Sequence, residues 1–118
     1  MERKFNQPIL KVLFYCTEEG NEPVREWLKS LQREDCRTIG EDIKTVQFGW
    51  PLGMPLVKKL EARLWEVRSH IKQGIARVLF TVEGDSMVLV HGFVKKTQNI
   101  PLFELNTARR RMTDLYKE

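Results

Sequence analysis

The spacing of hydrophobic residues changes period twice along this chain, and each change marks a different kind of element. Ile9 to Cys16 reads Ile-Leu-Lys-Val-Leu-Phe-Tyr-Cys, a run of strand formers entered after Pro8, and predicts a first strand. Thr17 to Asn21 is turn chemistry. Pro23 stands where a helix tolerates proline, in its first turn, with Asn21 or Glu22 as the cap. Val24, Trp27, Leu28 and Leu31 then recur at i, i+3, i+4 and i+7, which places them on one buried helix face. A second helix is expected from Glu34 or Asp35, presenting Cys36, Ile39, Ile43 and Val46 and forming a helical hairpin with the first. Gly40 inside it is unfavourable to helix.

The segment Gly49 to Pro55 contains two prolines and two glycines and ends any helix. Beyond it the period becomes that of strands. Leu64 to Arg68 alternates, and Ile75–Val82 and Met87–Val94 flank the turn Glu83-Gly84-Asp85-Ser86 as a hairpin. Pro101 opens a last helix on which Leu105, Ala108, Met112 and Leu115 or Tyr116 share a face. The expected order is therefore β-α-α-β-β-β-α. Such segregation of helices and strands implies an α+β fold, with the helical hairpin and C-terminal helix packed on a mainly antiparallel sheet of about four strands. The chain has 118 residues, enough for one domain spanning 1–118. No repeat, low-complexity stretch or linker interrupts it.

Composition narrows the class. A hydrophobic fraction of 42% and a charged fraction of 31% belong to a folded globular chain. Cys16 and Cys36 lack metal-ligand spacing, so neither zinc nor another metal is expected. The start, Met1-Glu2-Arg3-Lys4, is charged, no apolar leader follows, and no run approaches the roughly 20 apolar residues of a membrane span. The expectation is a cytoplasmic protein with no membrane contact and with reduced thiols. Net charge is +4, unevenly spread. Residues 1–50 hold 8 Lys/Arg against 9 Asp/Glu (net −1), and residues 51–118 hold 12 against 7 (net +5). A basic half beside a neutral one suits a phosphate-bearing or acidic partner, with a solvated basic surface as the plain alternative.

The familiar catalytic motifs are missing: no GxSxG, HExxH or phosphate-binding glycine loop is present. The candidates are cations: Lys58, Lys59, Arg63, Arg68, Lys72 and Arg77, then Lys95 and Lys96 after His91. Strand alternation puts Leu64, Glu66 and Arg68 on one face, and Arg77, Leu79 and Thr81 on one face. Arginines on neighbouring strands are costly to bury alone, so they are expected to converge on a concave, partly solvated surface. There the guanidinium fork matches phosphate oxygens. Pairing of Arg68 with Glu66, and a purely structural His91, are the competing readings. Trp50 and Trp65 read as packing residues. Arg109-Arg110-Arg111 reads as a solvated helix face or a patch for a partner.

Val57-Lys58-Lys59-Leu60-Glu61, Leu64-Trp65-Glu66-Val67-Arg68, Ile75-Ala76-Arg77-Val78-Leu79-Phe80 and His91-Gly92-Phe93-Val94-Lys95-Lys96-Thr97-Gln98 together resemble the RelE/HigB toxin superfamily. The similarity is greatest to its phage-derived, HigB-like branch. It extends from the first strand to the final helix. The run Phe-x-Lys-Lys-Thr-Gln before a proline-opened helix is its most specific piece.

The resemblance implies a type II toxin that cleaves mRNA in the ribosome without a metal or other cofactor, leaving a 2′,3′-cyclic phosphate. It implies an antitoxin partner, expected to carry a helix-turn-helix. By position, Arg68 and Arg77 would bind the scissile phosphate. Lys58, Lys59 and Lys96 would orient RNA and move protons, with Arg63, Lys95 and Thr97 lining the substrate path. Some members carry a catalytic tyrosine or histidine near the last helix, where this chain has Asn99 to Phe103. With that departure, either the proton transfers rest on lysines and His91, or this copy is a weak enzyme, or Leu102 and Phe103 serve antitoxin contact instead. A ParE-like gyrase inhibitor on the same fold, or a non-catalytic nucleic-acid-binding module, is the alternative, because fold alone does not fix function.

Overall fold

A computed structural model describes residues 7–95 and 99–117. Among the described residues the elements are β1 (Lys11–Phe14), α1 (Pro23–Ser30), α2 (Arg33–Gly49), β2 (Val57–Glu61), β3 (Leu64–Ile71), β4 (Gly74–Glu83), β5 (Ser86–Lys95) and α3 (Leu102–Leu115). The sheet has five strands in the order β1-β5-β4-β3-β2. Strands β2 to β5 pair antiparallel as successive hairpins, and β1 adds parallel to β5.

The expected mainly antiparallel sheet of about four strands is thus corrected in its count: it is a mixed sheet of five, with β2 as the additional strand and β1–β5 as the parallel pair. Its sequence, Val-Lys-Lys-Leu-Glu, does not alternate. The reason is its place at the sheet edge, with a register irregularity between Lys59 and Glu61, so both lysines reach solvent from opposite faces. Strand β1 is shorter than the apolar run that announces it. The N–H groups of Ile9 and Leu10 leave the sheet and donate to the Gln47 carbonyl of α2 at 2.8 and 3.1 Å.

Both faces of the sheet are covered. Val24 of α1 and Ile39, Ile43 and Val46 of α2 bury against Val57, Val67, Ala76, Val78, Phe80, Met87 and Leu89. In α2 the buried stripe begins at Asp35, one residue before the expected Cys36, which is half-buried. The carboxylate of Asp35 faces the N–H of Lys72 in the turn after β3, so the polar side chain is received by a hairpin end. Trp50 and Trp65 are packing residues: their rings meet edge-on at 5.2 Å, and both contact Phe80. On the other face, Leu64, Leu79, Val88, Val90 and Phe93 pack with Tyr15 and with Ala108 of α3. Covered on both sides, β4 is buried without a break from Ala76 to Thr81, which accounts for its apolar run.

Two glycines have definite tasks. Gly84 takes the left-handed φ of 60° in the turn joining β4 to β5. Gly92 lies under α1, where a Cβ would come within 2.4 Å of the Trp27 ring. The indole occupies the space of the missing side chain and seats α1 on β5. Gly92→Ala is therefore expected to destabilise the protein by about 3 kcal/mol, as for an overpacked core. Urea denaturation checks this, and an unchanged midpoint would show that α1 adjusts freely.

Candidate functional site

The β3–β4 register sets Arg68 directly opposite Arg77 on the α3 side of the sheet. Two like charges so placed need a counter-charge, and Glu66, two residues before Arg68, provides it. Arg77 Nη1 donates to Glu66 Oε1 and Oε2 at 3.1 and 3.3 Å, and Arg68 Nε lies 3.7 Å from Glu66 Oε1. The side chains of Arg77 and Glu66 are each 1% exposed, against 12% for Arg68. The expected solvated pair of arginines is corrected here: Arg77 is buried, because the carboxylate makes its burial tolerable. Removing one partner of a buried pair typically costs about 3–5 kcal/mol, since the other charge is left uncompensated.

Around this cluster the sheet gathers further cations. Lys58 lies opposite Glu66 on the edge strand and is exposed. Lys95 is half-buried on β5, two residues beyond Phe93, which faces Arg77. Asn99 and Ile100, just before α3, close the space: with Lys58, Leu60, Glu66 and Leu105 they line a cleft of about 160 Å³. Three cations and one carboxylate therefore share one part of this sheet face, and Lys95 lies farther along it. Such a surface can bind a phosphodiester and stabilise charge developing on it.

Other candidates are placed elsewhere. Lys59 projects to the opposite face, its ammonium 5.7 Å from the centre of the Trp65 ring. Arg63 adopts a φ of 66° in the β2–β3 turn and stacks 4.5 Å from the Tyr116 ring at the far end of α3. Along the strand, that turn is roughly 16 Å from Arg68. Lys96 and Thr97 lie outside the described residues.

His91 is bound to α3 from both sides. Arg111 donates to Nδ1 at 3.3 Å, which puts the ring proton on Nε2, 2.7 Å from Glu104 Oε1. The imidazole pKa is lowered by burial, which outweighs the opposing hydrogen bond to Glu104. The two contacts tie the imidazole to α3 and so help to hold that helix on the sheet.

The arginine triplet is likewise largely structural. Arg109 donates to Glu61 at 2.7 and 3.0 Å, Arg111 donates to the Val90 carbonyl at 2.8 Å, and Arg110 is exposed. At the other end, Tyr15 donates to Asp114 at 2.7 Å, and that carboxylate raises the phenol pKa.

Two participants carry little signal in the sequence. Glu66 looks like the partner of Arg68 until the register brings Arg77 closer, and Asn99 becomes a wall of the cleft only through the position of α3. Among the described residues, no cluster of His, Cys, Asp or Glu could hold a metal ion, and no helix is long and apolar enough to cross a membrane.

Residues 26–113 match the model of a family described as phage-derived Gp49-like protein (DUF891). Among curated proteins no match to the chain is found.

The His91 environment gives a pH dependence of known sign. Its folded pKa lies below the ordinary value of 6.5, so the unfolded chain binds the proton more tightly. The contribution to stability is complete above that value and is lost as pH falls through the folded pKa. Urea midpoints taken at about pH 7 and about pH 5 should therefore fall further in the parent than in His91→Gln. Equal falls would show that His91 does not titrate differently on folding.

Proposed function

The chain belongs to the phage-derived Gp49-like family, and we propose that it is the toxin of a toxin–antitoxin pair, an endoribonuclease that cleaves mRNA on the ribosome. Membership is consistent with a toxin that pairs with an antitoxin. The observation that carries the enzymatic part is the gathering of Lys58, Arg68 and Arg77 around Glu66 beside an open cleft, with Lys95 farther along the same face.

A site of this kind needs no metal to cut RNA, because the nucleophile is supplied by the substrate. The ribose 2′-oxygen bonds to the adjacent phosphorus, and the bond from phosphorus to the 5′-oxygen breaks. The products are a 2′,3′-cyclic phosphate and a 5′-hydroxyl. A base accepts the 2′-hydroxyl proton, and an acid delivers one to the departing oxygen. The arginine cluster offsets the extra negative charge of the pentacoordinate phosphorus with donors already in place. In this reading Lys58, exposed at the mouth of the cleft, and Lys95 hold the RNA, and lysines serve the proton transfers. His91 supports this site by fixing α3, and the partner expected is a small antitoxin with a helix-turn-helix.

Expression should arrest growth, with new mRNA 5′ ends mapping inside reading frames. Arg68→Ala should lower cleavage about a hundredfold, as for loss of one transition-state donor. Arrest with intact mRNA and induced DNA-damage signalling would replace this reading with gyrase inhibition. Salt-sensitive RNA binding without cleavage on ribosomes would replace it with a binding module.

A further inference from the structure

The two arginines of the cluster lie opposite one another, but their surroundings differ. Arg77 is 1% exposed and gives two hydrogen bonds to Glu66, which is equally buried. Arg68, directly opposite, is the more exposed of the two and meets the same carboxylate at 3.7 Å, an ionic contact longer than a hydrogen bond. Glu66 also lines the cleft with Lys58 and Asn99, so the carboxylate that Arg77 holds is part of the cleft wall.

From this we infer that Glu66 and Arg77 are positioning residues: a buried ion pair that fixes the Arg68 guanidinium at the groove surface, where Arg68 is the arginine that meets the substrate phosphate. This division of labour rests on the proposed ribonuclease reading for its substrate, though not for the geometry of Arg68. Three physical points support it. A phosphate cannot reach a side chain that is 1% exposed without first displacing the carboxylate that neutralises it. A buried, doubly bonded Arg77 keeps Glu66 in one orientation. That carboxylate in turn gives the Arg68 guanidinium a fixed opposite charge to rest against, which limits the rotamers open to a long side chain before substrate arrives. A groove that only needed positive charge would be better served without Glu66, which subtracts one unit from it.

The test separates contact from positioning by salt dependence. Each phosphate contact to single-stranded RNA contributes about 0.7 to the slope of log affinity against log salt. Binding of a short single-stranded RNA is measured for the parent, for Arg68→Ala, and for a protein carrying both Glu66→Met and Arg77→Met. Replacing both members of a buried pair by apolar side chains commonly preserves folding. Arg68→Ala should lose about 0.7 of slope, whereas the double variant should keep the parent slope and yet cut mRNA on ribosomes at least tenfold more slowly. A loss of slope in the double variant, or full cleavage by it, overturns the inference.

The Nε–H resonance of Arg68, assigned through Arg68→Lys, should be a single ordered signal in the parent and motionally averaged in the double variant. An unchanged signal overturns the positioning role even if the parent cuts no RNA, which is the separate failure of the ribonuclease reading. If the double variant does not fold, Glu66→Asp serves in its place. It keeps the charge but withdraws the carboxylate by one methylene, and it should lower turnover without changing KM or slope; retained turnover overturns the inference.

Discussion

Glu66 and Arg77 attract one another where almost no water remains to screen them, and the α3 side of the sheet is arranged around that attraction. Each is 1% exposed. Neither charge is tolerable there alone, since loss of hydration for a single ion far exceeds what one hydrogen bond returns. The constraint propagates along the strands. Arg77 occupies a β4 otherwise buried from Ala76 to Thr81, so β3 must pair in the register that brings Glu66 within reach. That register also sets Arg68 opposite Arg77 and Lys58 opposite Glu66. One pairing thus determines which cations meet.

The two faces of the sheet are held by different forces. On one, α1 and α2 bury Val24, Ile39, Ile43 and Val46 against a continuous apolar surface, and the association is hydrophobic. On the other, Ala108 is the fully buried side chain of α3, and Leu105 and Met112 are only partly covered. The remaining attachment is polar: His91 to Glu104, Arg111 to the Val90 carbonyl, Arg109 to Glu61, Tyr15 to Asp114 and Thr81 to Tyr116. Net hydrogen-bond contributions are modest, about 1 kcal/mol each. The helix that walls the cleft is therefore the element whose attachment responds most to pH and ionic strength.

How much of this the sequence discloses varies by element. The helices over Pro23–Ser30, Arg33–Gly49 and Leu102–Leu115 follow from spacing and from proline punctuation, and the β4–β5 hairpin follows from its turn. Membership of one face is also legible for Glu66 and Arg68, because alternation within a strand is a local property. Pairing is not local. Nothing in Val57–Glu61 says that it edges the sheet, and nothing in Lys11–Phe14 names β5 as its neighbour. The same limit applies to charge: adjacent Lys58 and Lys59 look interchangeable in sequence, but the pleat sends one to the cleft and the other to Trp65. The burial of Arg77 needed a cross-strand partner that only the register supplies.

The bond between Tyr15 and Asp114 joins residues 99 positions apart, and β1 pairs with β5 and not with β2, the next strand in sequence. This has a consequence for how the chain assembles. Strands β2 to β5 are consecutive hairpins whose contacts close over short loops, so they are suited to form early. The parallel β1–β5 ladder and the Tyr15–Asp114 bond enclose most of the polypeptide and must follow. During synthesis, β1 emerges first and waits without a sheet partner until Ser86–Lys95 have been made. Its fastening through Tyr15 waits longer still, until Asp114 has appeared. The topology therefore delays the finished groove until synthesis has passed Asp114, and a partly made chain lacks the α3 wall of the cleft.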